Sequence, residues 1–172
     1  MKKSEIKFMP EYFDRYINLV ENIELSDALS KYGPQMYVKE KDNLEKVGER
    51  VYAPGKWTVK DILQHLIDTE RIFKYRALRF ARNDKTLLPG FDENIYADVS
   101  GANNRSLDDL LNEYSFVRQS AIALFSSFHK KMLNSAGVCF DKNISVLSIG
   151  FVLAGHPLHH LNVIKERYYQ LL

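Results

Sequence analysis

Three of the chain's five histidines fall within the single stretch AGHPLHHLNVIKERY, and this cluster is the feature of the sequence with most chemical content. A neutral imidazole offers one ring nitrogen as a metal ligand or as an acid–base group near neutral pH. At about 100° per residue, His156 and His160 share one helical stripe with Ile149, Val152, Leu153, Val163 and Ile164. His159 falls roughly 60° from His156 and 100° from His160 by the same arithmetic, at the stripe's edge. The pair to consider is therefore His156 and His160. Two imidazoles one turn apart can converge on one metal ion. The alternative is a pair of buried, neutral rings satisfied by hydrogen bonds. That arrangement needs several buried partners, whereas one ion satisfies a nitrogen of each ring at once.

A catalytic metal site commonly uses three protein ligands and keeps one position open. The third ligand must then come from another element, and His65 qualifies because it shares a stripe with Thr69, Ile72 and Arg76. Asp68 lies close enough to orient a ligand imidazole from behind, or it is a solvent-facing charge. Arg76 and Arg167 each share a stripe with a histidine, which could set positive charge beside an anionic substrate. Either could equally pair with Asp or Glu between helices. His129 stands among lysines and is expected at the surface.

These residues need elements to hold them. Thr58 with Asp61 three positions on is a capping-box start, and Trp57 with Ile62 is a candidate hydrophobic staple. Apolar residues then recur at helical spacing to about Arg82. Ser106 with Asp109 starts a third helix, with an apolar face from Leu107 to Phe128 and an end expected near His129 to Leu133. Asn143 or Ser145 can cap a last one that continues toward the C-terminus. An earlier helix is expected from about Gln35 to Arg50, and residues 1–25 are expected to be loosely organised. The connector from Lys85 to Arg105 has little periodicity, and its LPGFDENIY segment is expected to cover one end of the structure. The pattern yields four helices and no strand, hence an all-α bundle in a single domain over residues 1–172. Pro157, inside the last helix, removes a backbone donor and should clash with the Leu153 carbonyl, so a kink is expected beside the histidines.

Composition bounds the remaining classes. The 172 residues are 45% hydrophobic and 27% charged, the balance of an ordinary packed domain. The net charge of +2 arises from 24 basic and 22 acidic residues without a basic run, which argues against nucleic-acid binding. One cysteine, Cys139, excludes an internal disulfide and a thiolate zinc cluster. With no apolar run of signal or membrane-spanning length, a cytoplasmic protein with no membrane contact is expected.

The segments PGKWTVKDILQHLIDTERIFKYRALRFARND, LLPGFDENIYAD and AGHPLHHLNVIKERY, in that order, resemble the DinB/YfiT-like metalloenzyme superfamily. The resemblance implies an up-down-down-up four-helix bundle and one divalent metal ion per chain, zinc or nickel, held by His65, His156 and His160. It also implies an enzyme that transfers a low-molecular-weight thiol such as bacillithiol, mycothiol or glutathione to a small electrophile. A metal-dependent hydrolase and a non-enzymatic, stress-related binding protein are the alternatives, and a homodimer is a further implication. Pro157 departs from the family pattern, where a good helix former usually follows the first ligand of the last helix.

Overall fold

The computed structural model describes residues 1–172. Four helical arms form a bundle, and short helices and a two-stranded hairpin fill the segments between and before them. The two long arms α5 (Val59–Ala81) and α7 (Leu107–Ser126) pack side by side, and α9 (Val146–Val163) lies across α5. The remaining arm is segmented into α2 (Leu25–Lys31), α3 (Pro34–Val38) and α4 (Lys41–Val47). The expected helix from Gln35 to Arg50 is thus two short helices preceded by a third. Gly33 and Pro34 explain the first break, since a residue before proline is pushed out of helical geometry, and Gly33 is extended with φ −178°. A Cβ at Gly33 would stand 2.9 Å from the Arg118 guanidinium, so the break also makes room for a buried side chain.

The helix starts follow from their caps. Thr58 accepts from the Asp61 N–H while the Asp61 carboxylate accepts from the Thr58 N–H, as in the expected box. Ser106 and Ser145 cap α7 and α9 through the N–H groups of Asp109 and Ser148. α9 is apolar nearly all round, and every residue from Val146 to Pro157 is buried, as expected for a helix with neighbours on all sides. No helix is long and apolar enough to cross a membrane.

Three segments differ from the sequence-based expectation. Residues 1–25 contain only short elements, α1 (Asp14–Ile17) and a 3₁₀ turn over Lys3–Glu5, yet they are packed rather than loose. Phe13, Ile17 and Val20 are buried, because α1 lies directly on α9. The Lys85–Arg105 connector carries a short helix, α6 (Glu93–Val99), capped by Asp92, with no buried residue of its own. Its length suits an up-down-down-up order, in which two parallel arms need a chain that returns the length of the bundle. Finally, α8 (Lys130–Leu133) leads into the antiparallel strands β1 (Ala136–Cys139) and β2 (Lys142–Ser145). The turn residues Phe140 and Asp141 both have positive φ, 52° and 56°.

Candidate metal centre

His65 projects from the second turn of α5, and His156 and His160 from the second half of α9. The Nε2 atoms of His65 and His156 are 3.2 Å apart, and those of His160 and His156 are 2.9 Å apart. All three rings offer a ligand nitrogen within 4.8 Å of one another, and His159 is outside this group. His159 instead sets its ring edge-on to Tyr16. Burial holds the three imidazoles neutral: it lowers His65 to about 4, and it takes His156 and His160 well below the ordinary histidine value, where the neighbouring imidazoles add to it.

Hydrogen bonding alone does not satisfy this arrangement. One ring nitrogen carries either one proton or one lone pair, so His156 Nε2 can complete only one of its two close contacts. A cation at the shared focus would accept a lone pair from every ring. Bonds of 2.0–2.1 Å to tetrahedral zinc put ligand nitrogens roughly 3.3 Å apart, close to the two short spacings here. The donor set therefore fits a divalent metal ion that takes imidazole ligands.

The supports of these rings run through the whole bundle. Pro157 leaves the Leu153 carbonyl without its helical partner, and buried Arg118 donates to it from Nη2 at 2.8 Å. The Pro157 carbonyl in turn accepts from Tyr37 Oη at 2.7 Å. α9 thus continues through the proline with the freed backbone group satisfied, and His156 and His160 still face one point. Arg118 also donates to both Glu70 carboxylate oxygens, at 2.7 and 2.9 Å, and to the carbonyls of Leu29 and Tyr32. One guanidinium so ties α2, α5 and α9 to α7. Gly155 permits the approach of α1, since a Cβ there would fall 2.0 Å from the Tyr16 carbonyl oxygen. That approach brings the Tyr16 ring edge-on to His156, with centroids 4.9 Å apart. On the opposite side Trp57 lies 4.8 Å from His65 and stacks toward His160, its carbonyl held by Tyr168 Oη at 2.5 Å. Tyr168 closes a π-helical turn, Ile164–Tyr168, that follows α9.

Comparison with known proteins bears on this architecture. The family model of the DinB superfamily matches residues 14–164. The chain belongs to the DinB superfamily. Among solved structures it is similar to one described as "YfiT from Bacillus subtilis is a probable metal-dependent hydrolase with an unusual four-helix bundle topology". That likeness has a TM-score of 0.69 at 17% identity and covers 94% of this chain and 88% of the other. No curated protein matches the chain.

In this DinB-superfamily bundle the three histidines sit in the wall of a pocket of about 150 Å³. Of the other residues singled out from the sequence, Arg76 lines the same pocket, while Arg167 and Asp68 do not. Arg167 lies on the π-helical turn, exposed, with its guanidinium over the Tyr52 ring. The register of the last helix changes there, so a stripe extrapolated from His160 misplaces it. The Asp68 carboxylate accepts from Gln64 and pairs with Arg71, and it makes no hydrogen bond to any imidazole. His65 and Asp68, three residues apart, diverge across the helix surface, and the nearer charges capture the acid. His129 is exposed as expected and caps α8 by accepting from the Met132 N–H.

The pocket also contains residues that sequence reasoning missed. Tyr12, Phe13 and Tyr16 come from the segment expected to be loose, and Phe91 and Glu93 from the connector. Phe140 comes from the hairpin turn. Only the LPGFDENIY segment gave a signal, through its length without periodicity.

Proposed function

We propose that this protein is a metal-dependent enzyme acting on a small molecule, with His65, His156 and His160 as ligands to one zinc or nickel ion. The convergence of three neutral imidazole nitrogens in a pocket wall carries this reading. Structural zinc favours four protein ligands, and three with an open pocket favours catalysis. When bound, such an ion supplies Lewis acidity, polarising a substrate oxygen and acidifying the nucleophile.

The rest of the chemistry falls to the chain. Trp57 and Tyr16 flank the ligand rings and fix their orientation. Glu93, from the connector, is the pocket's carboxylate and serves as the base that takes the nucleophile's proton onto its carboxylate oxygen. A carboxylate in the pocket wall suits activation of water as the nucleophile. Hydrolysis is therefore the first reading, in keeping with the description of YfiT from Bacillus subtilis as a probable metal-dependent hydrolase. The aromatic wall of Phe13, Phe73 and Phe140 favours a second, in which a low-molecular-weight thiol attacks an apolar electrophile.

Metal-loaded protein incubated with a panel of esters, amides and alkylating electrophiles, with and without small thiols, separates the two. Turnover independent of thiol supports hydrolysis, and turnover only with thiol supports transfer. In either case Glu93→Gln should lower kcat about 100-fold while leaving metal content unchanged. Equal loss of metal would make Glu93 a structural residue instead.

A further inference from the structure

We infer that Arg76 and Thr69 form an acid-binding end of the same pocket, and that the molecule bound there is a small carboxylate about the size of one aromatic ring. This rests on the proposed reading of the histidines only for which end of the ligand reacts.

His65, Thr69, Phe73 and Arg76 recur at spacings of four, four and three along α5, and all four line the pocket. The helix rises about 16 Å between the first and last of these positions. Long side chains lean toward the helix N-terminus, and the Arg76 guanidinium carbon stands 4.9 Å from the Phe73 ring centre, one turn back. The charge is thereby brought toward the histidines.

Two buried arginines in this chain make a direct contrast. Arg118 and Arg76 are each 4% exposed. Arg118 has the Glu70 carboxylate and three backbone carbonyls. Arg76 has one hydrogen bond, Nη2 to the Pro89 carbonyl at 2.7 Å, and no carboxylate pairs with it. A guanidinium carries five N–H donors in a fork. Arg76 Nε and Nη1 make no hydrogen bond and are not sealed from solvent, so they are open to an incoming carboxylate, which takes two N–H groups at once. Phe73 and Phe91 stand 4.9 and 5.9 Å from the same guanidinium, so an apolar body beside the acid group has aromatic surface to cover.

Thr69 supplies an independent observation. Its hydroxyl is buried without any hydrogen-bond partner, the lone side-chain polar atom of the protein in that state, and the residue is 5% exposed. A mid-helix threonine ordinarily bonds back to the carbonyl one turn earlier. Here the hydroxyl is left for an occupant of the pocket, between the histidines and Arg76. The size follows from the volume: an engineered cavity of roughly 150 Å³ holds a benzene molecule, and this pocket has about the same room.

Trp57 is the only tryptophan and lines the pocket, so its fluorescence reports occupancy. Titration with 3-phenylpropanoate and with the neutral 3-phenylpropan-1-ol should give at least tenfold tighter binding of the acid. In Arg76→Met the two should bind within about twofold of each other, and in Arg76→Lys the preference should fall severalfold. The lysine variant decides the matter alone if the methionine variant does not fold. Thr69→Val should weaken the acid severalfold with no drop in melting temperature, because no bond is lost. His160→Ala should keep the acid preference. A preference kept in both Arg76 variants, or one lost in His160→Ala and kept in Arg76→Met, places the carboxylate elsewhere and overturns the inference. A wild-type protein that binds no metal yet prefers the acid would sink the metal reading and leave this one standing.

Discussion

Burial fixes the protonation state of the three imidazoles before any ligand arrives. His65 titrates near 4 in the folded chain against 6.5 for an ordinary histidine, and His156 and His160 are displaced the same way. Between those values the unfolded chain binds more protons than the folded one, so stability rises with pH across the window and is lost as pH falls from 6.5 toward 4. The metal-free protein should lose roughly 3 kcal/mol from His65 alone over that range. Urea denaturation at a series of pH values measures it, and a flat profile would mean that the rings take up protons as readily in the folded chain as in the unfolded one. The three residues were legible in the sequence because two lie one turn apart and the third starts a well-capped helix. The reason is only partly the one the spacing suggested. α9 is buried on all sides near His156, so the stripe that selected His156 and His160 is not an amphipathic face; what excludes His159 is its contact with Tyr16. Arg76 was legible on the same argument, whereas Arg167 was lost to a π-helical turn that no residue type announces.

At the scale of elements, Arg118 and Glu70 join arms that the sequence shows only as separate helices. Removing one partner of a buried pair strands the other's charge, so Glu70→Gln should destabilise the protein by about 3–5 kcal/mol, read from the shift of a urea midpoint. A loss below 1 kcal/mol would show that the backbone carbonyls hold Arg118 unaided. Gly155→Ala should lower stability by about 1–3 kcal/mol by overpacking against α1, and should free Tyr16 from the histidines. The hairpin escaped sequence reading because its turn is Phe140-Asp141, where a two-residue turn with both φ positive normally uses Asn-Gly. A bulky residue in that conformation is strained, and Phe140 reaches the pocket rim, its ring 6.0 Å from Tyr12, which also has positive φ. Strain of this kind gathers at ligand sites. Phe140→Gly should therefore raise the melting temperature while weakening ligand binding in the pocket. A fall in melting temperature would mean that the ring's packing on Gly90 outweighs the relief.

For the whole molecule, the bundle was legible from caps and periodicity, and the pocket was not. Its walls combine α1, the connector, the hairpin turn, α5 and α9, and segments distant in the chain leave no shared pattern in it. The same dispersal makes the site a reporter of the complete fold. An ion that binds only the folded chain stabilises it by about 2.7 kcal/mol at a hundredfold excess over Kd, so zinc or nickel should raise the melting temperature of metal-stripped protein and leave that of His156→Ala unchanged. The most direct measurement is the metal content of the chain, by elemental analysis after dialysis against zinc or nickel and removal of free ion. The account predicts one ion per wild-type chain, retained in His159→Ala and reduced below a tenth in His65→Ala, His156→Ala and His160→Ala. A wild-type chain that retains no ion, or single-histidine variants that keep it in full, would contradict it.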